Sequence, residues 1–248
     1  MAIEHITTAE YARYFKGLYP LAKLAIGLSH DLTVSGQDNI PEGPAVFAAN
    51  HKSVLDPLFL AVAYYEHTHG PIHFLAKKEY FEGGGIDDKG KFGRTVRMLV
   101  TKTGQIPVDR SSRHGNEESI AAAVAMLDSG DAVGIFPEGT LVAPGRLGRL
   151  HKGAAEIALK AGDGGVPIVP VAILQSEKGS ARRTAVSVEF GAPIDTTEIN
   201  RGLGHLKPMR FKAGAITNDL EDVLADLTGC TKTGAFAKPG ELRYRLGN

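Results

Sequence analysis

The chain is 248 residues long, with 43% apolar and 23% charged residues, enough to bury the core of one α/β domain and too apolar for a disordered chain. Lysine plus arginine equals aspartate plus glutamate at 28 each, so no overall field draws the protein to nucleic acid, and any anion binding has to be local. The single cysteine, Cys230, excludes an internal disulfide and a cysteine-based zinc site and fits a reducing compartment.

From Thr8 to Leu28 the apolar residues Tyr11, Phe15, Leu18, Leu21, Leu24, Ala25 and Leu28 recur at helical spacing among Arg13, Lys16 and Lys23. This predicts an amphipathic helix that Pro20 bends or divides. Such a basic, aromatic-rich helix can cover one side of a core or lie in a lipid interface, and the pattern fits both. The N-terminus has no basic start, apolar run and small-residue cleavage site, and no stretch approaches ~18 uninterrupted apolar residues. The chain is therefore expected neither to span a membrane nor to be exported by a signal peptide.

Beyond this segment, residues 45–49, 72–76, 105–108, 132–136 and 166–172 read as strands, with helices near 55–66, 116–129 and 151–161 between several of them. Residues 184–190 add a strand in which Val186, Val188 and Phe190 alternate with polar neighbours, and 208–228 a closing helix. The alternation implies a single α/β domain with a largely parallel, twisted sheet covered by helices. The organisation expected is an amphipathic segment at 1–30, the main domain at 31–228 and a loosely structured tail at 229–248. The Gly/Asp/Lys stretch at 83–91 reads as a loop.

Three strand ends carry chemistry. Asn50-His51-Lys52-Ser53-Val54-Leu55-Asp56-Pro57 puts His51 after a strand and Asp56 at a helix start. In a parallel sheet ligands bind at such ends, and a short turn can return the carboxylate to one imidazole nitrogen, leaving the other to take a proton. A purely structural reading also fits: Asp56 before Pro57 is a good N-cap, and Ser53 to Asp56 spells a capping box. In Phe136-Pro137-Glu138-Gly139-Thr140 the turn amides and the Thr140 hydroxyl can bind an oxyanion or phosphate. Glu138 would there orient a basic group or accept a hydroxyl proton. Arg110, closing Gly104 to Arg110, can grip a phosphate with two parallel hydrogen bonds.

Together these segments resemble the glycerolipid acyltransferase family that includes bacterial 1-acyl-glycerol-3-phosphate acyltransferases. The resemblance spans roughly residues 32 to 195. Its Asn-His-x-Ser-x-x-Asp motif is met by Asn50, His51, Ser53 and Asp56, and its glycine-to-arginine segment by Gly104 through Arg110. Its Phe-Pro-Glu-Gly-Thr motif is met at 136–140 and its Val-Pro-x-x-Pro-Val strand at 166–171. The resemblance implies His51 as base, Asp56 as its orienting partner, and Arg110, Glu138, Gly139 and Thr140 as the site for the acceptor phosphate. It also implies Pro170 as part of the acyl-site wall and Lys77 as support for an oxyanion. Many members carry Arg or Ser where this chain has Leu141, so the missing charge is expected from Arg146 or Arg149. Lys152-Gly153-Ala154 resembles the family's lysine-glycine segment opening a helix.

By this resemblance a fatty acyl group moves from a thioester to the free hydroxyl of 1-acyl-glycerol-3-phosphate, giving phosphatidic acid with no cofactor; the alternatives are another acceptor, glycerol-3-phosphate or another lysolipid, and a non-catalytic lipid-binding protein on the same fold. Acyl-CoA or acyl carrier protein is the co-substrate, a lysophospholipid the acceptor, and the setting the cytoplasmic face of a membrane, peripherally attached. Three other readings carry less. A serine hydrolase lacks a Gly-x-Ser-x-Gly elbow, and a P-loop at Gly85–Lys91 has Phe92 where Ser or Thr should meet magnesium. A metal site on His67, His69 and His73 lacks a clear carboxylate set.

Overall fold

The structure is a computed structural model describing residues 8–82, 91–109, 113–176, 183–202 and 208–238. Helix α1 (Thr8–Ser29) leads into β1 (His30–Ser35), and the chain then enters β2 (Val46–Ala49) and α2 (Asp56–Thr68). There follow β3 (Ile72–Lys77), α3 (Glu79–Glu82), α4 (Lys91–Lys102), β4 (Ile106–Val108), α5 (Arg113–Asp128), β5 (Ala132–Ile135) and β6 (Arg146–Leu147). Next come α6 (Gly153–Lys160), β7 (Ile168–Gln175), β8 (Thr184–Phe190), α7 (Thr196–Gly202), α8 (Met209–Thr228) and β9 (Thr231–Lys232).

Seven strands form one sheet in the order β1-β8-β7-β2-β5-β3-β4. Strands β7, β2, β5, β3 and β4 are mutually parallel, while β8 runs against β7 and carries β1 parallel to itself. This is the largely parallel, helix-covered sheet that the alternating pattern implies. The central strands β2 and β5 are buried at every position, because helices cover both faces and every side chain needs an apolar neighbour. At the edge, β1 alternates half-buried and exposed residues.

The pleat of β2 divides the core. Val46 and Ala48 face the layer built by α5, α6 and α8, with Ile120, Leu127, Ile157, Ile216 and Leu220. Phe47 and Ala49 face the layer built by α1 and α2, with Phe15, Ile26, Phe59 and Leu60. Burying one such side chain contributes about 1.5–3 kcal/mol, so the ends of β2 and β5 sit on the most firmly packed part of the molecule.

Four expectations need correction or completion. Helix α1 is not divided at Pro20: the proline lies on the exposed side, where the Lys16 carbonyl that loses its N–H partner can meet water. Of the stretch expected as a loop at 83–91, residues 83–90 lie outside the described residues, and Lys91 opens α4. Strand β1 and helices α3, α4 and α7 have no counterpart among the expected elements. The tail is not wholly loose, since β9 pairs with β6, Thr233 N–H donates to the Leu147 carbonyl (2.9 Å) and Arg149 N–H to that of Ala235 (3.0 Å). Backbone pairing and the Phe236 ring tie down a segment whose composition alone has no clear period; residues 239–248 lie outside the described residues.

Candidate active site

Residue His51 stands just beyond the carboxyl end of β2, in a turn that delivers the chain to α2. The turn is organised by Asp56, which is fully buried at 0% exposure. Its Oδ2 accepts the backbone N–H groups of Lys52 (2.6 Å) and Ser53 (2.7 Å) and lies 3.0 Å from His51 Nδ1. Its Oδ1 accepts Gln175 Nε2 at 3.1 Å. Asp56 is thus not the N-cap of α2, a place taken by Leu55, and Ser53 Oγ accepts the Leu55 N–H at 3.2 Å instead of closing a capping box. The carboxylate is turned back onto the loop that carries the histidine.

A carboxylate facing Nδ1 can only accept, so Nδ1 bears the proton and Nε2 keeps its lone pair. No protein group among the described residues bonds Nε2, and the His51 side chain is 18% exposed. The ring is held flat by Phe136, with centroids 4.2 Å apart and planes 26° apart, and Phe136 in turn stacks on Phe74 at 5.9 Å. Gly134 makes room for this column: a Cβ there would come 2.3 Å from the Phe74 ring. Asn50, also 0% exposed, fixes the strand end by exchanging two hydrogen bonds with the Ile173 backbone on β7, at 2.9 and 2.7 Å.

Of the two roles expected of Glu138, the structure describes contacts for one, the orienting of a basic group. The side chain is 0% exposed, and its oxygens accept His51 N–H (2.6 Å), Gly148 N–H (2.8 Å) and Lys52 Nζ (3.4 Å). It orients a basic group, Lys52, and pins the backbone of His51. Burial pushes its carboxyl above the ordinary glutamate range, against the lowering pull of Lys52 and of the Gly148 and His51 N–H groups. Gly139 adopts φ 76° and its N–H closes the turn onto the Phe136 carbonyl at 2.9 Å, so this amide is used within the protein. Thr140 is half-buried beside it.

The loop after this turn wraps the same end of the sheet. Val142 N–H donates to the His51 carbonyl (2.9 Å), His151 N–H to that of Pro137 (2.8 Å), and Lys52 Nζ to that of Arg146. Arg146 and Arg149 are exposed, and the Arg149 guanidinium lies 5.0 Å from the centre of the Phe236 ring. Lys152, also exposed, donates to the Arg210 carbonyl at 3.2 Å. Lys77 is exposed at the end of β3, while its neighbour Lys78 pairs with Asp109 at 2.6 Å. Pro170 is buried in β7, in register with Ala48. Arg110 lies outside the described residues.

Sequence reasoning missed Lys52 and Gln175. No spacing signal points to Gln175, whereas Lys52 stands directly beside His51 in the motif. The three histidines weighed as a metal site do not converge: His73 is buried between the Gly104 carbonyl (2.9 Å) and Asp131 (3.2 Å), while His67 and His69 are exposed. Among the described residues no group of three or more His, Cys, Asp or Glu could hold a metal ion.

Comparison with known proteins gives a consistent picture. Residues 31–174 match the family model described as Acyltransferase, more than half of the chain. A probable 1-acyl-sn-glycerol-3-phosphate acyltransferase of Mycoplasma pneumoniae is 28% identical over 203 residues, covering 75% of this chain and 71% of that one. The 1-acyl-sn-glycerol-3-phosphate acyltransferase of Bacillus subtilis is 27% identical over 208 residues, covering 83% and 92%. The crystal structure of the 1-acyl-sn-glycerophosphate (LPA) acyltransferase PlsC from Thermotoga maritima aligns with a TM-score of 0.53 over 86% of this chain and 81% of that one; at 23% identity the likeness is one of fold. Because the matched segment runs from β1 to the end of β7, it takes in both the His51–Asp56 pair and the Glu138 turn, and the chain belongs to the acyltransferase family.

Proposed function

We propose that the protein transfers a fatty acyl group from a thioester to the free hydroxyl of 1-acyl-glycerol-3-phosphate, giving phosphatidic acid. The observation that carries this reading is the open Nε2 of His51 at the carboxyl edge of the sheet, with Nδ1 held by a buried carboxylate. The acceptor hydroxyl gives its proton to Nε2 as its oxygen attacks the thioester carbon. The tetrahedral oxyanion then collapses, the carbon–sulfur bond breaks, and the imidazolium returns the proton to the leaving thiolate. Asp56 compensates the transient charge on the ring. Arg110, Glu138, Gly139 and Thr140 form the acceptor-phosphate site, Lys77, Arg146, Arg149 and Lys152 support the oxyanion or the acceptor, and Pro170 belongs to the wall of the acyl site.

The test is thiol release from acyl-CoA and from acyl carrier protein, with glycerol-3-phosphate, lysophosphatidic acid and other lysolipids as acceptors. Lysophosphatidic acid should give the fastest acceptor-dependent release, with phosphatidic acid as product. Thiol release that ignores every acceptor would overturn the reading. Leu141 favours a second reading within the same chemistry, in which another lysolipid is preferred, because the usual basic or hydroxyl residue is absent there.

The acceptor has to be met at a bilayer, since each methylene withdrawn from lipid into water costs about 0.8 kcal/mol. No helix among the described residues is long and apolar enough to cross a membrane. Helix α1 supports a surface attachment: Tyr11, Phe15 and Ile26 are buried on the core side, while Leu21, Leu24 and Leu28 are 65%, 62% and 75% exposed. Strand β1 runs opposite to β2, so the carboxyl end of α1 lies at the end of the sheet where β2 delivers His51. His30 contacts Phe59 there, and Val54 beside the histidine is 77% exposed. Replacing Leu21, Leu24 and Leu28 together by Gln should weaken liposome binding on the order of 100-fold or more, at ~1.5–3 kcal/mol per buried leucine, while leaving the fold intact. Co-sedimentation equal to wild type would remove the membrane role of α1.

A further inference from the structure

Asp56 has two oxygens with different neighbours. Oδ2 serves His51 and the two N–H groups of its turn, whereas the described hydrogen bond to Oδ1 comes from Gln175 Nε2 at 3.1 Å. Gln175 ends β7, two residues beyond Ile173, whose backbone holds the Asn50 amide. One strand thereby fixes the residue before His51 through its backbone and the carboxylate behind His51 through a side chain. Resting on the acyl-transfer reading, we propose that Gln175 is a positioning residue: its amide sets the rotation of the Asp56 carboxylate and so the aim of the His51 ring.

The residue type suits the task. A carboxylate at 0% exposure needs a donor on each oxygen, and a neutral amide supplies one without adding a charge beside the ring. Leucine would fill the space and donate nothing. Glutamate would set a second carboxylate against Asp56 and could replace the amide only while protonated. Among the described residues the titratable groups in this contact are Asp56 and, through it, His51; Lys52 and Glu138 are engaged with each other across the turn.

Three measurements on the full chain test the proposal. Gln175→Leu should lower kcat about 10- to 100-fold, as a misaimed base does, with the acceptor KM within about twofold of wild type. For Gln175→Glu, the ratio of its kcat to that of wild type should rise as pH is lowered through the titration of the new carboxyl, because the protonated side chain can again donate to Oδ1. The hydrogen-bonded Nδ1 proton of His51, followed by NMR without substrate, should shift or broaden in Gln175→Leu. An unchanged kcat in Gln175→Leu, a ratio flat with pH, or an unmoved Nδ1 proton resonance would each overturn the role of Gln175. The NMR result needs no turnover, so it separates failure of this inference from failure of the acyl-transfer reading, which wild-type assays alone decide.

Discussion

His51→Ala is expected to lower acceptor-dependent thiol release by at least ~10²-fold and up to ~10⁴-fold, the range that a positioned general base contributes. Thermal stability should fall only modestly, because the ring is partly exposed and Asp56 Oδ2, though it loses the Nδ1–H donor, keeps the Lys52 and Ser53 N–H groups. The backbone bonds that shape the turn, from Lys52 and Ser53 to Asp56 and from His51 to Glu138, do not involve the imidazole. Asp56→Asn separates the two roles of the aspartate. An asparagine oxygen can still accept the two turn N–H groups, so the loop should keep its course. Its amide nitrogen, placed at Oδ1, would face the Gln175 donor; placed at Oδ2, it would meet the turn N–H groups and His51 Nδ1. Activity should fall at least about tenfold with little change in acceptor KM, since the ring loses its compensating charge and not its access to substrate. Wild-type turnover in His51→Ala would remove the histidine from the chemistry altogether.

How far the sequence reaches is set by how local each interaction is. His51 and Asp56 belong to one turn between a buried strand and a helix, so their meeting could be anticipated from spacing and strand polarity. The role of Glu138 could not, because its donors come from His51, Lys52 and Gly148, and a carboxylate in a strand-end turn reads alike whether it faces solvent or core. Gln175 reaches Asp56 across 119 positions with no motif to announce it. The central strands were legible because burial on both faces makes them continuously apolar. Strand β1, with alternate residues exposed at the sheet edge, has no continuous apolar run, and β9 is two residues stabilised by pairing with β6. In α1 the apolar positions gave the helix, while only packing could divide them between Tyr11, Phe15 and Ile26 on the core and Leu21, Leu24 and Leu28 outside.

Glu138→Ala should severely damage the fold around the site. Removing the carboxylate leaves the His51 and Gly148 N–H groups without acceptors in a place closed to water, at ~1–3 kcal/mol each, and deprives Lys52 of its partner. Lys52 is 11% exposed and can turn partly outward, so the expected total is about 3 kcal/mol, or on the order of 5–10 °C in Tm for a domain of this size. Acyl transfer should fall as well, since the backbone of the base is no longer pinned. Glu138→Gln makes the charge itself visible. Burial holds the Glu138 carboxyl above its ordinary value, so in the pH interval between that value and the raised one the folded state binds more protons than the unfolded state. The stability of the wild type relative to Glu138→Gln should therefore increase as pH is lowered through the interval and decrease as it is raised. Denaturant titrations of both proteins at a series of mildly acidic pH values measure this difference. A difference independent of pH would mean that the carboxylate is not held in the dry, strained balance between burial and its three donors that places His51 at the mouth of the site.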